Sequence, residues 1–120
     1  MSKSKILVVD DEKAICSFVK FVIQEKGYDV ILAHDGEHAL EVLSKNKDVK
    51  LILSDVMMPK MTGTELLQRV QEDYSDIKEF YLMTGFAKVD KEIALKLGAK
   101  GLLSKPLDLS LIEEIITKLD

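Results

Sequence analysis

Five residues with charged or hydroxyl side chains follow short apolar runs in this sequence. Asp10 and Asp11 come after the first run, Asp55 after the third, Thr84 after the fourth and Lys105 after the fifth. Short runs rich in Val, Ile and Leu are typical of strands buried on both faces of a parallel sheet. Because parallel strands end at one edge of a sheet, where ligands bind in open α/β folds, we expect these side chains to lie together.

Three carboxylates at one edge of a sheet repel each other and are costly to hold together unless a cation joins them. A hard divalent ion with oxygen ligands would resolve this repulsion. Mg²⁺ fits best, because it takes one or two carboxylates and leaves other positions to water and phosphate oxygens. The alternative is that Asp10 and Asp11 cap the next helix, whose first amides Asp11 or Glu12 can also satisfy.

Lys105 and Thr84 would add a positive charge and a hydroxyl donor to this edge. Beside Asp55 and a metal ion, these groups suit a phosphoryl group, whose oxygens need neutralisation and hydrogen bonds. Asp55 would then be the nucleophile and would form an aspartyl phosphate. Taken singly, Lys105 could be a surface lysine and Thr84 a hydroxyl that caps a turn, but the full set in this order favours the phosphoryl site.

The hydrophobic pattern predicts five strands that alternate with five helices. Such alternation indicates an α/β fold, a doubly wound parallel sheet with right-handed crossovers and helices on both faces. The flavodoxin-like order 2-1-3-4-5 is one common solution for five strands, although periodicity alone does not derive it. The pattern also predicts that Phe18, Ile93, Leu97 and Leu111 face inward. The predicted strands cover residues 5–9, 28–33, 51–53, 79–83 and 101–103, and the helices after the first cover 36–45, 62–73, 89–97 and 109–119.

Length and composition indicate a single domain over residues 1–120. A chain of 120 residues that is 47% hydrophobic can bury a real core. The sequence has neither an apolar stretch long enough to span a membrane nor a signal-peptide core, and the lone Cys16 cannot form an internal disulfide. A cytoplasmic location without membrane binding is therefore expected. The net charge of −4 argues against direct nucleic-acid binding.

Lysines are concentrated between Lys88 and Lys105. Five lysines and two acidic residues give this segment a charge of +3, which leaves −7 for the rest of the chain, whose net charge is −4. The segment is either a solvated helix face or a docking surface for an acidic partner.

Together these residues resemble the CheY-like receiver domain of two-component response regulators. The resemblance covers essentially the whole chain. It implies that Asp55 accepts a phosphoryl group from a sensor histidine kinase or phosphotransfer protein, and that the chain then switches its contacts with a downstream protein. The matching stretches are Asp10-Asp11, Asp55-Val56-Met57-Met58-Pro59, Met61-Thr62-Gly63, Thr84, Gly98-Ala99 and Lys105-Pro106.

The resemblance also implies a role for each site residue. Asp10, Asp11, Asp55 and the backbone carbonyl of Met57 would bind Mg²⁺. Thr84 and Lys105 would contact the phosphoryl oxygens, and the Lys105–Pro106 peptide would be cis, which is admissible because proline follows. Such a chain is a phosphoacceptor signalling domain, not an enzyme, since it catalyses only its own phosphorylation and dephosphorylation.

One position departs from the family pattern. Receivers commonly carry Tyr or Phe three residues before the lysine, but this chain has Leu102 there, so an aromatic switch is not expected. Met57 and Phe86, bulky and apolar, would hinder an attacking water and prolong the phosphorylated state.

Two other classes of function remain open on the sequence. The first is a receiver-like interaction module that is never phosphorylated, although an incomplete acidic pocket or a missing lysine would be expected for it. The second is an enzyme of the same architecture. A flavin-binding protein would carry a Ser/Thr/Gly-rich loop after the first strand, and an aspartyl phosphatase would carry a second Asp at the position of Glu12.

Overall fold

The apolar runs form the strands of one parallel sheet in the computed structural model, which describes residues 4–85 and 90–119. The strand order is β2-β1-β3-β4-β5, which confirms the predicted fold class and order. β1 and β3 lie at the centre, where both faces are covered, and their side chains are almost entirely buried. The strands are β1 (Lys5–Val9), β2 (Asp29–Ala33), β3 (Val49–Asp55), β4 (Glu79–Thr84) and β5 (Gly101–Ser104).

Five helices alternate with these strands in the described part of the chain and cover both faces of the sheet. On one face, Val19 and Ile23 of the first helix pack with Ile112 and Ile116 of the last. On the other face, the second, third and fourth helices contribute apolar side chains such as Leu66 to a separate core. The helices are α1 (Lys13–Glu25), α2 (Gly36–Lys45), α3 (Gly63–Asp73), α4 (Lys91–Lys96) and α5 (Leu109–Thr117).

Polar side chains determine where most of the helices begin. Asp35, Asp90 and Asp108 each accept a hydrogen bond from a backbone amide in the first turn of α2, α4 and α5. Thr62 and Glu65 form a reciprocal capping box at the start of α3. Each such cap is worth roughly 1 kcal/mol. The N-cap of α1 differs, because the side chain there makes no capping hydrogen bond.

The inward faces predicted for three helices are partly wrong. α4 runs only over Lys91–Lys96 and its buried residue is Ala94, so the large side chains beside it point outward; position 89, where this helix was predicted to begin, lies outside the described residues. The buried stripe of α1 is centred on Val19, one residue from Phe18. The four residues predicted to be inward but found exposed are Phe18, Ile93, Leu97 and Leu111.

The described helices do not include a membrane span, because none of them has the length and apolar character that a span requires. The fold instead places its polar side chains at one edge of the sheet. There the carboxyl ends of the two central strands, β1 and β3, lie side by side.

Candidate functional site

Three aspartates meet at the carboxyl edge of the central strands. Asp10 and Asp11 follow β1, and Asp55 is the last residue of β3. One carboxylate oxygen from each lies within 4.8 Å of the others. Asp10 and Asp55 are buried, whereas Asp11 is exposed. This acidic cluster, defined as Asp10, Asp11 and Asp55, is the grouping that the sequence predicts.

Asp10 is held in place by hydrogen bonds to its backbone and its side chain. Its amide donates to the carbonyl of Ala33 over 3.1 Å, and its Oδ1 accepts the Glu12 amide over 2.9 Å. Its carbonyl accepts the thiol of Cys16 over 3.3 Å. Burial raises the pKa of that thiol, so Cys16 stays a neutral donor.

Asp55 is fixed by the loop that follows it. The amide of Val56 donates to the carbonyl of Met83 over 2.9 Å, and the amide of Gly63 donates to the carbonyl of Val56 over 2.8 Å. A side chain at Gly63 would collide with the Asp55 carbonyl, so only glycine allows the loop to fold back this closely. The Asp55 carboxylate therefore stands at the mouth of the loop, where the apolar run predicts it.

Lys105 brings the positive charge to the acidic cluster. Its amide donates to the carbonyl of Thr84 over 2.8 Å, which ties the end of β5 to the end of β4. Its Nζ lies 2.9 Å from Oδ2 of Asp10 and 3.3 Å from Oδ2 of Asp55. The Lys105–Pro106 peptide is cis, as the resemblance implied.

The electrostatics of the site show a shortage of positive charge. Burial raises the pKa of Asp10, and burial together with the nearby charge of Asp10 raises the pKa of Asp55. Burial acts to lower the pKa of Lys105, but its hydrogen bond to Asp10 and the charges of both aspartates outweigh this effect and raise it. One ammonium thus compensates two buried carboxylates only in part. The set of three carboxylates fits a hard divalent cation such as Mg²⁺, which prefers oxygen ligands.

Two further predicted site residues lie close to the cluster in the fold. Thr84 ends β4, next to β5 and opposite Ser104. Met57 is exposed and lines a cavity of about 660 Å³ together with Asp55 and Lys105. Phe86, the other residue expected to hinder water, lies outside the described residues.

Glu12 is a site residue that the sequence interpretation did not assign to the site. Its Oε1 lies 3.2 Å from Nζ of Lys105, and it lines the same cavity. The sequence suggested a helix cap at this position, but the carboxylate instead faces the lysine that follows β5. An acidic residue directly after Asp10 and Asp11 was the only available signal.

The lysine-rich segment is less free than its charge suggests. Within the described part of the segment, Lys96 pairs with Glu92, and Lys100 pairs with Glu79 at 2.9 Å. Lys105 points into the acidic cluster. Lys88 lies outside the described residues. These contacts, together with the exposure of Lys91, favour the interpretation of a solvated helix face.

The sequence matches a known family over nearly its full length. The model of the response regulator receiver domain matches residues 6–117. The chain belongs to this family. Receiver domains are signalling modules of two-component systems.

Curated relatives of this receiver domain include longer proteins. It is 38% identical over 103 residues to the transcriptional regulatory protein CpxR of Escherichia coli K12, a match that covers 86% of this chain and 43% of CpxR. It is also 38% identical over 102 residues to the alkaline phosphatase synthesis transcriptional regulatory protein PhoP of Bacillus subtilis, with 85% and 42% covered. The chain thus spans less than half the length of these relatives.

Solved structures include receivers of similar shape. The chemotaxis protein CheY4 of Vibrio cholerae superimposes with a TM-score of 0.87 at 30% identity, over 99% of this chain and all of that one. A CheY-like receiver domain protein of Methanospirillum hungatei gives a TM-score of 0.86 at 32% identity, over 99% of this chain and 95% of that one. These matches place the chain among CheY-like receiver folds.

Proposed function

We propose that this chain is a phosphorylation-controlled signalling switch in which Asp55 accepts a phosphoryl group from a sensor histidine kinase or a phosphotransfer protein. The observation that carries the proposal is the ammonium of Lys105, which lies 3.3 Å from Oδ2 of Asp55 within a cluster of three carboxylates. A carboxylate, a fixed cation and a set of oxygen ligands are the parts that phosphoryl transfer to aspartate requires.

In the proposed reaction, a carboxylate oxygen of Asp55 attacks the phosphorus of the donor. A new bond forms between phosphorus and that oxygen, and the bond from phosphorus to the donor histidine nitrogen breaks. The histidine keeps the electron pair of the broken bond. Lys105 and the hydroxyl of Thr84 contact the phosphoryl oxygens and stabilise their charge. Because its pKa is raised, Lys105 remains cationic at neutral pH.

The metal ligands that we propose are Asp10, Asp11, Asp55 and the backbone carbonyl of Met57. Mg²⁺ bound there would supply positive charge that neutralises the carboxylates and the phosphoryl oxygens. The chain contributes the fixed orientation of its ligands. The hydrogen bond from the Glu12 amide and the folded-back loop at Gly63 hold Asp10 and Asp55 before any ion arrives.

Phosphorylation would then change the affinity of a protein surface around α4, β5 and α5. A phosphoryl group adds about −1.5 to −2 of charge and new acceptor oxygens, which can bias an element with two arrangements. A coupling of roughly 1–3 kcal/mol would alter partner affinity several-fold to a hundredfold. We propose that residues 1–120 act as one cytoplasmic receiver domain whose downstream partner is a protein, without direct binding of nucleic acid.

Intact-mass spectrometry after incubation with Mg²⁺ and a small-molecule phosphodonor tests the proposed function. The wild-type chain should gain one phosphoryl group, and a chelator should abolish the gain. Asp55→Asn, which keeps the shape of the side chain but removes the nucleophile, is the matched control and should gain none. A folded, Mg²⁺-binding wild-type chain that stays unmodified would contradict the proposal.

A further inference from the structure

The ammonium of Lys105 has three N–H donors, and three carboxylate oxygens surround it. The distances from Nζ are 2.9 Å to Asp10 Oδ2, 3.2 Å to Glu12 Oε1 and 3.3 Å to Asp55 Oδ2. A lysine can donate to three acceptors at once. Among the residues that the structure describes, Asp10 and Glu12 accept hydrogen bonds from this ammonium, and Asp55 adds an ion-pair contact. A phosphoryl oxygen that binds Lys105 therefore competes with these carboxylate oxygens for the ammonium.

The three carboxylates differ in how easily they can move away from Lys105. The side chain of Asp10 is 0% exposed and that of Asp55 is 8% exposed, and both are fixed at strand ends. Asp55 is also the residue that would carry the phosphoryl group. The side chain of Glu12 is 62% exposed, so its carboxylate can exchange Lys105 for water at little cost. Glu12 is the acceptor that can leave.

The contact between Glu12 and Lys105 is anchored by the backbone. The amide of Glu12 donates to Asp10 Oδ1 over 2.9 Å, and its carbonyl accepts the Cys16 amide over 3.2 Å. Glu12 is the N-cap of α1, yet its side chain makes no capping hydrogen bond to that helix. The carboxylate is directed across the site, where Lys105 is only 13% exposed.

We propose that Glu12 is a positioning residue that occupies one N–H donor of Lys105 in the unphosphorylated site and releases it to the phosphoryl group. The proposal rests on the proposed function of Asp55. It makes Glu12 a competitor of the incoming group. Loss of the contact should speed phosphorylation about two- to fivefold, the range expected for an ion pair with one exposed partner.

Three variants separate the contact from the charge of Glu12. Glu12→Gln removes the charge, and Glu12→Asp keeps it on a side chain one methylene shorter, which draws the carboxylate back from Lys105. Glu25→Gln, on an exposed position of the same helix, is the matched control. If the negative charge of residue 12 acts only by repelling an anionic phosphodonor, Glu12→Asp should be phosphorylated at the wild-type rate. If the contact between residue 12 and Lys105 slows the reaction, Glu12→Asp should be phosphorylated as fast as Glu12→Gln.

The first measurement needs neither metal nor phosphodonor. NMR of the lysine ammonium groups reports how fast the Nζ protons of Lys105 exchange with water, with the signal assigned by its loss in Lys105→Met. We expect several-fold faster exchange in Glu12→Gln and Glu12→Asp than in wild type and Glu25→Gln. If the Nζ protons of Lys105 exchange at the wild-type rate in both Glu12 variants, the proposed contact between Glu12 and Lys105 is wrong, whether or not Asp55 is phosphorylated.

The second measurement is the rate of phosphoryl gain by intact mass at saturating Mg²⁺. Both Glu12 variants should react about two- to fivefold faster than wild type, and Glu25→Gln should match wild type. If the ammonium protons exchange faster but the rate of phosphoryl gain is unchanged, the proposed release of Lys105 by Glu12 is wrong. If no variant and no wild-type chain gains a phosphoryl group, the function proposed for Asp55 fails, while the exchange data still decide the contact.

Discussion

Burial opposes the negative charge of Asp55. The carboxylate lies beside Asp10, and both pKa values are raised because neither charge is fully solvated. An aspartate whose pKa is higher in the folded state than in the unfolded state destabilises the fold when it is ionised. The residue that we propose as phosphoacceptor therefore reduces the stability of the unliganded chain at neutral pH.

Asp55→Asn should accordingly stabilise the chain in the absence of divalent ions. Neutral asparagine removes the repulsion from Asp10 and keeps the volume, so the free energy of unfolding should rise by on the order of 1 kcal/mol. Urea denaturation at pH 7 with a chelator measures this change. Asp73→Asn, on the exposed end of α3, is the control and should have little effect. A less stable Asp55→Asn variant would show that the ion pair with Lys105 outweighs burial.

The start of α2 depends on a single carboxylate. Oδ1 of Asp35 accepts the amide of His38 over 2.7 Å, and this hydrogen bond holds the pKa of Asp35 below its usual value. A lowered pKa in the folded state stabilises the fold above the unfolded value of 3.8 and ceases to do so as the pH falls through the folded value.

Asp35→Ala should lower the free energy of unfolding by roughly 1 kcal/mol at pH 7. Its difference from wild type should shrink as the pH falls below the unfolded pKa of Asp35, which urea titrations across that range measure. Asp35→Asn retains an acceptor oxygen, so it should lose less stability than Asp35→Ala; because it does not titrate either, its difference from wild type should change over the same pH range. A difference that stays constant with pH would rule out ionisation of Asp35 as its source.

α4 is joined to α3 by a side chain. Nε2 of Gln71 donates to the carbonyl of Leu97 over 3.0 Å, at the C-cap of α4. Gly98 follows with a φ of 104°, and a side chain there would collide with Gln71. Since α4 buries only Ala94, this hydrogen bond is a substantial part of its attachment.

Gln71→Ala should loosen the carboxyl end of α4 while leaving the sheet intact. Hydrogen exchange should accelerate several-fold at the amides of residues 94–97 and remain unchanged in β1 and β3. Gln24→Ala on the exposed face of α1 is the control. Uniform acceleration throughout the protein would instead indicate global destabilisation and would argue against a local attachment.

The elements differ in how well the sequence predicts them. The apolar runs at β1 and β3 are buried on both faces, so composition alone locates them. α4 was harder, because a six-residue helix at the edge of the sheet packs through the small Ala94, and its large side chains stay exposed. The strand order was expected only as one common arrangement of doubly wound folds, since no periodicity records which strands are neighbours.

The same limit applies to the site. Asp10, Asp11, Asp55 and Lys105 were predictable because strand ends in a parallel sheet share an edge. The contact of Glu12 with Lys105 was not, because a carboxylate at an N-cap normally serves its own helix. Only the position of α1 relative to the end of β5 shows that the Glu12 carboxylate reaches Lys105.

At the scale of the whole molecule, the charge deficit at one edge links metal binding to folding. An ion that binds only the folded chain stabilises it by about 2.7 kcal/mol at a hundred times its dissociation constant. Mg²⁺ should therefore raise the thermal midpoint of the wild-type chain in a concentration-dependent manner. Asp11→Asn removes an exposed carboxylate of the cluster, so the same rise in thermal midpoint should require a several-fold higher Mg²⁺ concentration. An equal response in the variant would exclude Asp11 as a ligand.

The ion pair between Lys105 and Asp10 joins residues 95 positions apart. Contacts of such long sequence separation form late, because the chain must first lose the entropy of a large loop. During synthesis, Asp10, Asp11 and Asp55 emerge long before Lys105. The nascent chain therefore carries these three carboxylates before the ammonium that pairs with them has been synthesised. If Asp55 is the phosphoacceptor, as we propose, its site is therefore complete only once β5 has brought Lys105 into place.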